Sequence, residues 1–396
     1  MKAYLGQEVI DYGRLTGGDD FTSFIVNGRY ASFEDHVIAS VDLSRGSRLQ
    51  TLQENDSSAD LVSIPPLKNI WDGKQYSTIY SPGGLIAFCP KSADAETVEA
   101  CMTYLDWLCT EEGGFAISHP AVVRLGERYF LYYSVLFGDI LGIGIAFSDD
   151  MERWQEYGRF PATQECESTG VGAPGAIVRD GKVHLFYQTY GTWEKDAICH
   201  AWSEDGLHFE KDESNPVFRP TADWCCGRAI DADVCRFKDR YYLYFATRDH
   251  EMRIQKLGAA WTPLTSDFSR NSWTQACRHA ILAPEMVWEQ ECTEAPACVV
   301  DRDRLYLFYG GAYNRKPQQI GCAVSEDGIH FEKMDSLPFL TNGEPGSWNA
   351  EESGHPFAFR DTDGTVWLFY QGFDGETWRI TRTKLDFRDG RPVLVI

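Results

Sequence analysis

Two carboxylates and two imidazoles stand at matching places in a chain of 396 residues. Asp231 follows "GRAI", Glu294 precedes "AP", and His119 and His355 each precede a proline. Each opens an apolar run that reaches, twelve or thirteen residues on, a leucine within an aromatic stretch: Leu131, Leu243, Leu307 or Leu368. Ionisable groups at the head of a buried run are costly unless they are paired or used. Brought together, a carboxylic acid with a raised pKa and a second carboxylate beside it are what acid–base bond cleavage requires, one to give a proton and one to keep the first protonated or to take a proton from water. The fifth matching position, twelve residues before Leu185, is Ala173.

The elements that must position these groups repeat. "HPAVVRLGERYFLYYS", "APGAIVRDGKVHLFYQ", "DADVCRFKDRYYLYFA", "EAPACVVDRDRLYLFYGG" and "HPFAFRDTDGTVWLFYQG" each read as an apolar strand, a polar turn and an aromatic strand. Their leucines are 54, 58, 64 and 61 residues apart, room for a four-stranded unit with loops. Three copies continue into "AFSDDMERW", "AWSEDGLHF" and "AVSEDGIHF", in which Ser and Asp mark a tight turn before an aromatic residue returns to the core. Five such units predict a mainly β chain whose residues 116–396 close into a five-bladed β-propeller without long exposed edges. First strands of all blades run beside the central axis, so the five matching positions converge at one end of it. Residues 1–115 read as a small α+β segment. Val98, Cys101, Met102, Leu105 and Leu108 fall at helical spacing in "DAETVEACMTYLDWLCTEEGG", and "LQENDSSADL" reads as a flexible stretch.

A formal charge of −22 and a pI near 4.8 exclude a nucleic acid or an anionic membrane as the partner and favour a neutral one. Twelve Trp, 19 Tyr and 23 Phe suit a sheet-rich core or a surface that stacks on sugar rings. No apolar run approaches a membrane span, and "MKAYLGQEVIDYG" lacks a basic and then apolar leader, so a cytoplasmic location is expected. The twelve cysteines show no C-x-x-C spacing and read as reduced thiols, with no metal site among them. "SPGGL" and "LTGGDD" lack the context of a nucleotide loop, and no serine nucleophile elbow occurs. Nothing in the sequence sets an oligomeric state.

"AIDADV", then "EAP" one blade later and "GHPFAFRDTDG" one blade after that, resemble glycoside hydrolase family 43 and its five-bladed relatives. The resemblance implies hydrolysis, with inversion, of a glycosidic bond in a plant or algal oligosaccharide, of the arabinofuranosidase or xylosidase kind. It assigns Glu294 as general acid, Asp231 as the residue that orients the acid and tunes its pKa, and His355 as an axial histidine. No cofactor is required, though an axial histidine can accompany calcium. The family's base is an aspartate at the start of the blade before the I-D motif, where Ala173 stands; one blade earlier is His119. A related family of anhydrogalactosidases carries its second aspartate in the third blade and uses a histidine as acid. Asp233 and His119 are candidates for the base, and Glu165, Glu167, Glu351 and Glu352 could reach in from loops. Arg228, Arg248, Trp193, Trp288, Trp348 and Glu352 are candidates to line a sugar cleft. A carbohydrate-binding propeller without its base is an open alternative. So is a component of sugar uptake, because "YSTIYSPGGLIAFCPKSADAETVEACMTYLDWLCTEEG" resembles the C-terminal lobe of solute-binding proteins of sugar transporters.

Overall fold

The computed structural model describes residues 118–137 and 140–395 together with two earlier strands, Ile38–Asp42 and Leu85–Phe88. The chain divides into two compact units, Met1–Gly114 and Phe115–Ile396. In the first, the two strands pair antiparallel. The helix expected over 94–114 lies outside the described residues, as does the solute-binding-like stretch 76–113 apart from the strand Leu85–Phe88. Among the described residues no helix is long and apolar enough to cross a membrane.

The second unit is the expected propeller, five sheets of four antiparallel strands, each sheet built from one continuous stretch of chain. Blade one is Ser118–Leu125, Arg128–Phe137, Ile140–Ser148 and Gln155–Arg159, and blade two is Val171–Arg179, Lys182–Thr189, Ile198–Ser203 and Glu210–Lys211. Blade three is Ile230–Phe237, Arg240–Arg248, Gln255–Pro263 and Thr274–Gln275, and blade four is Thr293–Asp301, Arg304–Gly311, Gln319–Ser325 and Glu332–Lys333. Blade five is Glu352–Arg360, Val366–Phe373, Trp378–Arg388 and Arg391–Val395. The inner two strands of each blade are buried on both faces, which is why they read as unbroken apolar and aromatic runs. Tyr132, Tyr187, Tyr244 and Phe308 are among the large side chains fully buried there.

The Ser–Asp turns form as expected. Ser203 Oγ accepts the Gly206 N–H at 2.9 Å, and Asp205 Oδ1 accepts those of Leu207 and His208 at 2.9 and 2.8 Å; Ser325 and Asp327 do the same. The turns also join blades, since the Tyr132 hydroxyl donates to Gly206 O at 2.8 Å and that of Tyr244 to Gly328 O at 2.7 Å. Blades five and one share no strand. Side chains close that seam: Arg124 pairs with Asp361 at 2.9 Å, the Tyr129 hydroxyl donates to Asp361 Oδ2 at 2.6 Å, and Phe357, Phe359 and Phe369 join the apolar cluster of blade one.

Candidate active site

Every inner strand carries a bulge near its start, between Ser118 and Ala121, Gly172 and Gly175, Ile230 and Asp233, Glu294 and Ala297, and Gly354 and Phe357. Within these bulges His119, Ala173, Asp231, Ala295 and His355 take the left-handed backbone region, at φ of 51°, 43°, 52°, 49° and 40°. That is costly for residues with a Cβ and persists only where neighbours fix it. A bulge also removes an N–H from the ladder. The preceding blade supplies the acceptor: Gln371 Oε1 for His119 at 3.1 Å, Ser134 Oγ for Ala173 at 2.8 Å, and Gln188 Oε1 for Asp231 at 2.9 Å. Gln318 Oε1 takes the His355 N–H at 3.1 Å. The Asp231 carboxylate takes that of Ala295.

This corrects the register of Glu294. The axial residue of blade four is Ala295, and Glu294 stands one place earlier, opposite Gly310 in the ladder. The count of thirteen to the repeat leucine holds in blade five, where the hairpin turn spans Asp361 to Thr365; in blade four the turn is only Arg302 and Asp303, so the axial count is twelve. Glu294 reaches the axis by its side chain. Its Oε1 lies 3.8 Å from His355 Nε2.

The axial side chains line one pocket with the prolines that follow four of the five positions. The rings of His119 and His355 meet edge-on with centroids 3.8 Å apart. Asp231 Oδ2 and His355 Nδ1 are buried without a hydrogen-bond partner. Burial pushes Asp231 up to about 6, restrained by Arg228, the Ala295 N–H and Arg248. Burial and then the charge of Asp231 push Glu294 to about 8, against an opposing hydrogen bond from Gln318. Burial lowers His119 to about 3 and His355 well below the usual imidazole value, so both rings are uncharged near neutral pH. Gln318 Nε2 donates to Glu294 Oε1 at 2.6 Å and Gln255 Nε2 donates to Oε2, so both acid oxygens are held.

The remaining candidates separate. Asp233 lines the pocket, but its Oδ2 accepts the Cys298 N–H at 2.6 Å and ties blade three to blade four. Glu167 is spent on Lys211 at 2.6 Å and the Tyr187 hydroxyl at 2.5 Å, while Glu165 and Glu351 are exposed. Glu352 is buried, raised to about 7 by desolvation, and accepts from Gln371 Nε2 at 2.7 Å and the Arg315 N–H at 2.8 Å. Arg228 is buried 3.6 Å from Asp196 Oδ2, with its Nε and Nη1 making no hydrogen bond. Arg248 is engaged by Gln255 Oε1 at 2.8 Å and Met252 O at 3.1 Å. Trp193 is 62% exposed near Arg228, as a sugar platform would be. Trp288 and Trp348 instead lie over Gly311 and Gly372 and against Tyr309 and Tyr370, so they fill the blades. Gln255 and Gln318 were not singled out by sequence. The available signal was the third residue after each repeat leucine, polar in Ser134, Gln188 and Gln371 but small in Ala246 and Gly310.

His119, Asp231 and His355 offer ligand atoms within 4.8 Å of one another, and no other group of this kind occurs among the described residues. Two imidazole nitrogens and one carboxylate oxygen do not fit calcium, which takes six to eight oxygens. No step below runs through an ion.

Residues 115–391 match the family model described as glycosyl hydrolases family 43. The chain is similar to the crystal structure of a thermostable family-43 glycoside hydrolase, at 19% identity and a TM-score of 0.58, over 71% of this chain and 93% of that one. It is similar to an exo-1,5-alpha-L-arabinanase from a bovine ruminal metagenomic library, at 17% identity and a TM-score of 0.52, over 71% and 97%. A beta-1,2-mannobiose phosphorylase of Thermoanaerobacter sp. (strain X514) is 32% identical over 130 residues, 29% of this chain and 40% of that protein. The match therefore spans about two fifths of that relative's length.

Proposed function

Since the chain belongs to glycosyl hydrolases family 43, we propose that it cleaves a glycosidic bond of a plant or algal oligosaccharide with inversion, and that Glu294 gives the proton to the leaving oxygen. The observation that carries this reading is the state of Glu294: buried beside the axial pocket, held at both oxygens, and pushed to about 8 by burial and by Asp231. Near neutral pH it keeps its proton until the bond to the departing sugar breaks.

Asp231, pushed only to about 6 and with one buried oxygen unpartnered, is the carboxylate left to accept a proton from the attacking water. It then does two jobs, because neither Ala173 nor His119 offers a carboxylate. A base with a pKa near 6 also outcompetes an imidazole lowered to about 3. The arabinanase among the similar structures makes an arabinofuranoside the first sugar to try.

The test is turnover of aryl arabinofuranosides, xylosides, galactosides and fructosides by the wild type and by Glu294→Gln. One glycoside should be cleaved, and the variant should lose ~10²- to 10⁴-fold on substrates with poor leaving groups. Binding without turnover by both proteins would show a carbohydrate-binding propeller instead. A second reading, phosphorolysis, is favoured by the missing carboxylate at the base position, because inorganic phosphate is an anionic nucleophile that needs no base. The partial relative is named a phosphorylase. Assays with and without phosphate separate the two readings.

A further inference from the structure

Three of the five axial N–H groups are accepted by the side chain three residues beyond the repeat leucine of the preceding blade, namely Ser134, Gln188 and Gln371. In blade four that residue is Gly310, and Gln318 enters from the loop before the third strand to take its place. A Cβ on Gly310 would stand 2.8 Å from Gln318 Cδ, and one on Gly354 would stand 1.8 Å from its Oε1, so two glycines keep a channel open for one amide. Because Gln318 Oε1 accepts the His355 N–H at 3.1 Å, its nitrogen must face the other way. That nitrogen donates to Glu294 Oε1 at 2.6 Å and to Ala312 O at 2.8 Å. Gln255 is oriented in the same manner. Its Oε1 accepts from Arg248 Nε at 2.8 Å, which turns its Nε2 onto Glu294 Oε2.

We propose that Gln318, with Gln255, is a positioning residue of the acid: the two amides occupy one lone pair on each Glu294 oxygen and confine the transferable proton to the lone pairs turned away from them. This rests on Glu294 being the proton donor. Oε1 itself lies 3.8 Å from His355 Nε2, whose residue lines the pocket. The Gln318 amide and the Cys292 thiol favour the ionised carboxylate, so they oppose what burial and Asp231 do and keep the proton from being held too firmly. The other titratable groups around Glu294 are Asp231 from blade three, His355 and Glu352 from blade five, and Cys292 and Tyr313 from blade four. Of these, the Cys292 thiol also hydrogen-bonds the Glu294 carboxyl, and His355 Nε2 lies 3.8 Å from Oε1, beyond hydrogen-bond distance. Glu352, Gln371 and His119 repeat the wiring, with the Gln371 amide spanning 2.7 Å to Glu352 and 3.1 Å to the His119 N–H.

The experiment is a pH titration of the full chain labelled with ¹³C at glutamate Cδ, the Glu294 resonance being assigned by its loss in Glu294→Gln. The midpoint should rise by about one pH unit in Gln318→Leu and in Gln255→Leu, because each removes one donor to the carboxylate. On the cleaved aryl glycoside kcat should fall about tenfold with KM nearly unchanged, since the groups that bind sugar are untouched. Gln318→Glu keeps an acceptor for the His355 N–H and so separates folding from positioning; Glu294 should titrate higher still beside the added carboxylate. Midpoints equal to wild type in folded variants would overturn the proposal. If Glu294→Gln retained wild-type turnover while the midpoints moved, the amides would still set this carboxyl and the assignment of the acid would fall instead.

Discussion

The pH dependence of cleavage follows from two carboxyls held apart in pKa by one pocket. In the proposed mechanism activity requires Asp231 ionised and Glu294 protonated. With Asp231 at about 6 and Glu294 at about 8, kcat/KM should be bell-shaped with a maximum near pH 7, where about four fifths of the enzyme is in the competent form. Lowering the pH through the Asp231 value removes the base, and raising it through the Glu294 value removes the acid. Either excursion of two pH units from the maximum leaves roughly a tenth of the activity. The assay is initial rate at subsaturating aryl glycoside from pH 4.5 to 9.5, repeated with a leaving group acidic enough to depart unaided. On that second substrate the alkaline limb should flatten while the acid limb stays. An alkaline limb identical for both substrates would refute Glu294 as the donor, and activity still rising above pH 9 would refute the protonated acid altogether.

Stability should fall between about pH 6.5 and pH 8.5; below that window the buried His119, His184 and His355, which the unfolded chain protonates, act in the opposite direction. Asp231, Asp233, Glu352 and Glu294 are all raised by burial, so the folded chain holds protons that the unfolded chain has released, and the stability they contribute is lost as pH climbs through their folded values. Thermal unfolding midpoints should decline over that window, less steeply in Glu294→Gln; a midpoint rising toward pH 8.5 would contradict the burial of these groups as acids. Trp193→Ala should change stability by no more than about 0.5 kcal/mol, since the ring is 62% exposed, and should raise KM several-fold with little change in kcat. An unchanged KM would remove Trp193 from the cleft.

The propeller was legible because its unit is local: a strand, a turn and an aromatic strand repeat with a leucine to count from. The axis was legible for the same reason, and the equivalence of His119, Ala173, Asp231 and His355 holds in the backbone as a shared bulge. The count slipped by one at Glu294 because spacing from a leucine mixes strand length with turn length, and only blade five has the longer turn. Trp288 and Trp348 could not be told from sugar platforms, because what decides is the bare Cα of Gly311 and Gly372 beneath them. Gln318 was hidden more deeply. Its place depends on two glycines, one from a second strand and one from the next blade, that mean nothing until the sheets are assembled.

At the axis, backbone and side chain have separate owners. The bulge and the acceptor from the preceding blade fix where each of the five axial residues sits, whatever its side chain, so Ala173 and Ala295 hold the same conformation as Asp231 and His355. The pocket floor is thus a socket of five interchangeable fittings. Ala173→Asp would set a carboxylate into a seat already built for it, so the chemistry of this molecule can be rewritten one fitting at a time while the wheel that carries it is left alone.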